Sequence, residues 1–203
     1  MYQLQQKVAI ITGSGRHKGI GEAIALKLAS EGCSIVISDL GSPKGENLAA
    51  EHIGVTSEMT EIADACRKLG AKVHTITCDV RLESDCIQLI EQTVATFGRL
   101  DILVNNAGVG YLMEPFTEFK ESSWDVVLDV NLKGPFLCSK HAAKQMIEQG
   151  TGGVIMPTYP LYDSEGAHLK AANGHPLNDV TVDAAMQDLA LDDIQIDRTT
   201  LQA

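Results

Sequence analysis

The stretch Val8–Gly21, VAIITGSGRHKGIG, constrains the fold of this chain more than any other. A short apolar run leads into a glycine-rich turn, and the turn leads into a segment with helical spacing. Glycine permits positive φ and the close approach of a ligand. The first N–H groups of a helix have no partner within it and carry partial positive charge. Strand, glycines and helix start therefore come in the order a phosphate site requires. A tight strand-to-helix turn without a ligand has the same signature, so both readings stand on this stretch alone.

Beyond Gly21, Ile20, Ile24 and Leu28 recur every fourth residue, Ala23 and Ala25 are small, and Gly32 marks a stop, which predicts a helix of about ten residues lying on a sheet. Ser34–Leu40 (SIVISDL) is a second apolar run, with Asp39 near its end. This completes a β-α-β unit with an acid at the tip of its second strand. Such an acid accepts hydrogen bonds from the ribose hydroxyls of an adenosine and repels a 2′-phosphate, so it favours NAD over NADP. Arg16 and Lys18, beside the phosphate site, argue the other way. A solvated acid that merely ends a strand is the plain alternative.

Residues 41–56 have mixed composition and no clear period, and read as a long surface connection without identifiable chemistry. Met59, Ile62, Ala63, Cys66 and Leu69 keep helical spacing up to Gly70. Val73–Val80 is the third strand, and Cys86, Leu89, Ile90, Val94 and Phe97 mark a helix closed by Gly98. Three strand-helix repeats predict a parallel, doubly wound sheet. Asp79 falls at the carboxyl end of its strand, the edge where such sheets bind ligands, and His74 within that strand reads as a packed residue. The fourth strand, Leu100–Val104, runs into Asn105-Asn106-Ala107-Gly108. Buried carboxamides need partners, so these two would fasten neighbouring loops, while Ala107 and Gly108 leave room above them for a flat group.

The chain has 203 residues, a net charge of −11 and a pI near 4.9. That length is enough for one substantial core. The acidic balance argues against nucleic-acid or anionic-membrane partners. Five cysteines, widely spaced and without a CxxC pair, read as reduced core thiols and not as a disulfide framework or metal site. MYQLQQK is no export signal, and no apolar stretch approaches the roughly 18 residues of a membrane span. A soluble, cytoplasmic protein is expected.

Taken in order, these features resemble the short-chain dehydrogenase/reductase family. Its marks are a TGxxxGxG loop, an acid or base after strand two, NNAG after strand four, and an Asn in the next long helix. Thr12, Gly13, Gly19, Ile20 and Gly21 match the loop, although SGRHK places five residues where the commonest pattern has three. Over about residues 5–156 the resemblance implies a Rossmann-like doubly wound parallel sheet. It implies that the loop, with Ser14 and Arg16, binds the pyrophosphate of a dinucleotide. Asp39 and Leu40 would take the adenosine ribose, Asp79 and Val80 the adenine edge, and Asn105, Ala107 and Gly108 the cofactor's ribose side.

Asn131 is the catalytic residue carried over. Ser122 or Ser123 is expected to cap its helix, in which Trp124, Val127, Leu128 and Asn131 share a face that resumes with Phe136, Leu137, Ala143 and Ile147. Pro135 has no N–H for the carbonyl four residues back, that of Asn131. A kink freeing that carbonyl is expected, and in the family the group resembles an anchor for a water in a proton relay. A plain bend at Gly134-Pro135 is the alternative.

The resemblance stops after Gly152, Gly153, Val154 and Ile155, the start of a fifth strand. The family's Ser and Tyr-x-x-x-Lys pair do not follow: Tyr159 has Asp163 four residues on, Tyr162 has Gly166, and Thr158 stands one position before the serine's place. From Pro157 the chain carries eight acids against Lys170 and Arg198. Residues 157–203 read as an irregular acidic tail after a sheet truncated at strand five. YPLYD, NGHPLNDVTVDAAM and DDIQIDRTTLQA in it resemble the N-terminal part of the small subunit of coenzyme-B12-dependent diol/glycerol dehydratases. Two functions follow as expectations. One is NAD(P)-dependent hydride transfer with a small alcohol or ketone, implied by the family. The other is an inactive dinucleotide-binding remnant or fusion that docks on dehydratase subunits.

Overall fold

The computed structural model describes residues 4–43, 53–110 and 115–157. The expectations for Tyr159, Tyr162 and the dehydratase-like tail lie outside them, as does most of the 41–56 connection. The elements are β1 (Val8–Thr12), α1 (Ile20–Ser30), β2 (Ser34–Asp39), α2 (Thr56–Lys68), β3 (Val73–Thr77), α3 (Glu83–Phe97), β4 (Ile102–Asn105), α4 (Glu121–Leu128), α5 (Gly134–Glu148) and β5 (Val154–Pro157). The strands pair in parallel in the order β3-β2-β1-β4-β5. This is the expected Rossmann-like sheet. The chain builds outward through β2 and β3, then returns to lay β4 on the other side of β1. The loops leaving β1 and β4 therefore diverge, and a cleft opens at their carboxyl ends.

Apolar runs suit strands covered on both faces, and all five residues of β1 are buried. Ile10, Val36 and Leu103 share a core with Cys86, Leu89 and Ile90 of α3 and Leu137, Cys138, Ala142 and Met146 of α5. By the two-residue strand period, Ile11, Ile35 and Ile37 serve the opposite face. There α1 and α2 contribute Ala25, Leu28, Met59 and Ile62. All five cysteines are free and buried, and burial pushes the Cys33 thiol up to about 12 and that of Cys66 up to about 11. Among the described residues no helix is long and apolar enough to cross a membrane.

Several local expectations are corrected. β3 ends at Thr77, and Asp79 enters a turn in which its carbonyl accepts the Leu82 N–H. Ile20 is 59% exposed, because the buried face of α1 runs through Gly21, Ala25, Leu28 and Ala29. Leu69 caps α2 from solvent. Ile53 is buried and Val55 bridges to Gly41, so the end of the 41–56 connection is built into the domain and is not a surface loop.

Lys120, not Ser122 or Ser123, is the N-cap of α4, so both serines fall inside the helix. A π turn over Asp129–Lys133 then separates α4 from α5, and Gly134 N–H reaches back to the Asp129 carbonyl. One extra residue in a turn rotates everything after it by about 100°. The buried face of α5 is consequently Leu137, Cys138, Ala142 and Met146, while Phe136 and Ile147 are exposed. Trp124 and Leu128 of α4 are exposed as well.

Candidate functional site

At the carboxyl ends of β1 and β4 the glycine loop and the NNAG segment lock together. Thr12 Oγ1 donates to the Val104 carbonyl at 3.3 Å and accepts the N–H groups of Asn106 and Ala107, both at 3.1 Å. Asn106 Nδ2 donates to the carbonyls of Thr12 and Gly13, both at 2.9 Å. This is the loop-fastening role expected of the carboxamides, carried by the second of the pair. Gly13 has φ +63°, and a Cβ there would stand 2.6 Å from Ala107 Cα. At Gly21 a Cβ would meet Asn106 Nδ2 at 2.6 Å. Gly19, the N-cap of α1, has no side chain to offer the first helical N–H groups. Those donors face a cavity lined by Gly13, Arg16, Gly19 and Ile20 on one side and Ala107, Gly108 and Val109 on the other. Uncapped N–H groups beside a cation and a lining rich in glycine fit an anionic diester.

Asp39 lines the next part of the cavity. One of its oxygens accepts the Gly15 N–H at 2.9 Å, and the other accepts those of Leu40 at 2.8 Å and Gly54 at 3.2 Å. Burial raises its pKa from the usual carboxylate value, against those three N–H donors and the Arg16 charge, which lower it. Gly15 and Gly54 are where the two loops touch: a Cβ on Gly54 would sit 2.4 Å from the Gly15 carbonyl carbon. Further along the edge, Asp79 holds the Arg81 guanidinium through Nε at 2.9 Å and Nη2 at 2.7 Å. Val80 packs where Gly134 has no Cβ.

Asn131 sits in the π turn. Its Oδ1 accepts the Val109 N–H at 2.9 Å, and its Nδ2 donates to the Val109 carbonyl at 2.7 Å. The side chain thus fastens the segment after NNAG, while Pro135 leaves no N–H four residues on for the Asn131 carbonyl.

Residues 7–158 match the sequence profile of the short chain dehydrogenases. The chain belongs to the short-chain dehydrogenase family. It is 39% identical over 152 residues to a short-chain dehydrogenase/reductase of Armillaria gallica, covering 75% of this chain and 52% of that one. With 2-dehydro-3-deoxy-D-gluconate 5-dehydrogenase of Escherichia coli it shares 36% over 165 residues, covering 81% and 58%. A crystal structure of carveol dehydrogenase from Mycobacterium avium in complex with NAD superposes with a TM-score of 0.70 at 32% identity, over 77% of this chain and 55% of that one. The chain thus spans little more than half the length of these relatives.

Of the expected cofactor residues in this short-chain dehydrogenase, Gly13, Arg16, Gly19, Ile20, Asp39, Leu40, Asp79, Val80, Ala107 and Gly108 come together around one cavity. Thr12, Ser14, Gly21, Asn105 and Asn131 stand behind its wall. Ser14 Oγ donates to the Ile11 carbonyl at 2.7 Å and accepts the Ser38 N–H at 3.2 Å. Asn105 Nδ2 donates to Ser139 Oγ at 3.0 Å. Ser38, Ile53, Cys78, Arg81, Asn106, Val109 and Val130 also line it and were not among the expected site residues. Arg81 follows Asp79 by two residues and could have been found, whereas Ile53 lies in a stretch with no period. Asn131→Ala removes two hydrogen bonds to Val109. Unfolding in urea is expected to show a loss of about 1–3 kcal/mol, and dinucleotide affinity to fall as the segment after NNAG loosens.

Proposed function

We propose that the chain binds NAD across the carboxyl ends of β1, β2 and β4, and that without a Tyr-x-x-x-Lys pair within its 203 residues it holds the dinucleotide with little or no turnover. The observation that carries this reading is the glycine-walled cavity, open to the uncapped start of α1 and to Asp39. The α1 N–H groups and Arg16 would hold the pyrophosphate. The Asp39 carboxylate, aimed by three backbone N–H groups, would accept from the adenosine ribose and oppose a 2′-phosphate. Asn131 would keep the Val109 segment in place beside the nicotinamide half. When bound, NAD supplies a hydride acceptor at its nicotinamide ring. A second reading, in which the tail docks on diol/glycerol dehydratase subunits, is favoured by the tail's sequence alone and is tested by co-purification with those subunits.

Titration with NADH and NADPH, followed by nicotinamide fluorescence, tests the binding. NADPH is expected to bind about tenfold or more weaker, because its 2′-phosphate meets a carboxylate, and Asp39→Ala is expected to erase that difference. Equal affinities in the parent chain would contradict the assignment of Asp39. A panel of secondary alcohols with NAD is expected to give no turnover, and clear turnover would restore the family's hydride-transfer activity.

A further inference from the structure

His17 lies among the five residues that separate Gly13 from Gly19, the longer spacing noted in the sequence. Its Nδ1 is 2.9 Å from Glu22 Oε1 in α1, and its Nε2 is 3.0 Å from Glu61 Oε2 in α2. The other Glu22 oxygen accepts the N–H of Lys18, which has φ +59°. One ring therefore ties the glycine loop to two helices. A neutral imidazole has a single N–H and can donate to one carboxylate, whereas imidazolium donates to both.

The facing groups are Glu22 on α1 and Glu61 on α2, with Glu58 one turn earlier on α2 and Arg16 and Lys18 flanking on the loop itself. Hydrogen bonds to Glu22 and then Glu61 raise the His17 pKa above 6.5. The sign follows from that direction. The doubly bonded bridge is complete below about pH 6.5 and is lost as pH rises through the raised value. His17 sits between Arg16 and Gly19, both of which line the cavity.

We propose that His17 is a positioning residue whose bridge from the glycine loop to α1 and α2 makes dinucleotide affinity fall as pH rises. The proposal rests on the reading of the cavity as a dinucleotide site.

Calorimetric titration of the full chain with ADP-ribose, whose pyrophosphate diester does not titrate near neutrality, tests it. Between about pH 6 and pH 8.5, parent affinity is expected to fall about two- to fivefold, the range of an exposed ion pair. His17→Gln is expected to bind at the weaker level with no such slope. His17→Arg, a permanent cation, is expected to keep the tighter level throughout. Glu61→Gln, at an exposed side chain, is a second probe: it is expected to flatten the slope and to lower the His17 pKa read by proton NMR.

A His17→Gln or Glu61→Gln variant with the parent slope overturns the proposal and leaves the dinucleotide site standing. Absence of ADP-ribose binding to the parent chain at either pH overturns the dinucleotide reading, and the proposal with it.

Discussion

Valine at Gly13 is expected to abolish dinucleotide binding and to lower stability by about 3 kcal/mol or more. Two independent effects coincide there. At φ +63° a β-branched residue is strained whatever space surrounds it. Its Cβ would also lie 2.6 Å from Ala107 Cα and 3.0 Å from Ala107 N, both backbone atoms that no rotamer change can move. Relief requires the loops after β1 and β4 to part, which breaks the Thr12 and Asn106 hydrogen bonds and opens the wall of the cavity. Urea unfolding reads the stability loss, and NADH titration under folding conditions reads the binding loss. Parent-like values in both would contradict the close packing of these two loops.

Asp101→Ala is expected to be as damaging to stability and nearly silent at the site. Asp101 is 4% exposed at the amino end of the sheet, opposite the cavity. One oxygen accepts from the Val8 N–H at 3.0 Å and from Arg99 Nε at 2.7 Å. The other binds the Arg99 Nη2, and Lys7 Nζ stands 3.3 Å from it. Removing the carboxylate orphans a buried backbone donor and leaves two cations facing one another. The expected cost is about 2–4 kcal/mol, tempered by the partial exposure of Lys7 and Arg99. A lowered urea midpoint with unchanged NADH affinity in the folded protein is the expected pattern. A loss of affinity matching that of the Gly13 variant would show that the two ends of the sheet are coupled.

Where one local rule decided the outcome, the sequence was readable. Coverage by helices on both faces made β1, β2 and β4 continuous apolar runs, and Gly98 closes α3 as expected, in the left-handed conformation. The glycine loop, Asp39 and the NNAG turn were visible because each joins a residue type to a strand end.

The parts that stayed hidden depend on contacts between distant segments. Pro135 announced a break near Asn131 but not its form, a π turn, and that single extra residue decides that Cys138 and Met146 are buried in place of Phe136 and Ile147. Gly54 was one small residue in an aperiodic stretch until its N–H was seen to reach Asp39, fifteen positions away. His17 was likewise one of several polar residues in a loop, and its two carboxylate partners lie five and forty-four positions on. Thr12 and Asn106 were identified as part of the motif, but that they brace one loop against the other shows only in the fold.

The cavity at the carboxyl ends of β1 and β4 is proposed to receive NAD. Backbone amide chemical shifts recorded on the labelled full chain during titration with NAD test this residue by residue. The expected result is saturable movement concentrated at Gly13–Gly21, Asp39–Leu40, Asp79–Arg81 and Ala107–Val109, with Val8 and Asp101 at the opposite end of the sheet unmoved. Saturable shifts confined to other surfaces, or none at millimolar NAD, would contradict it.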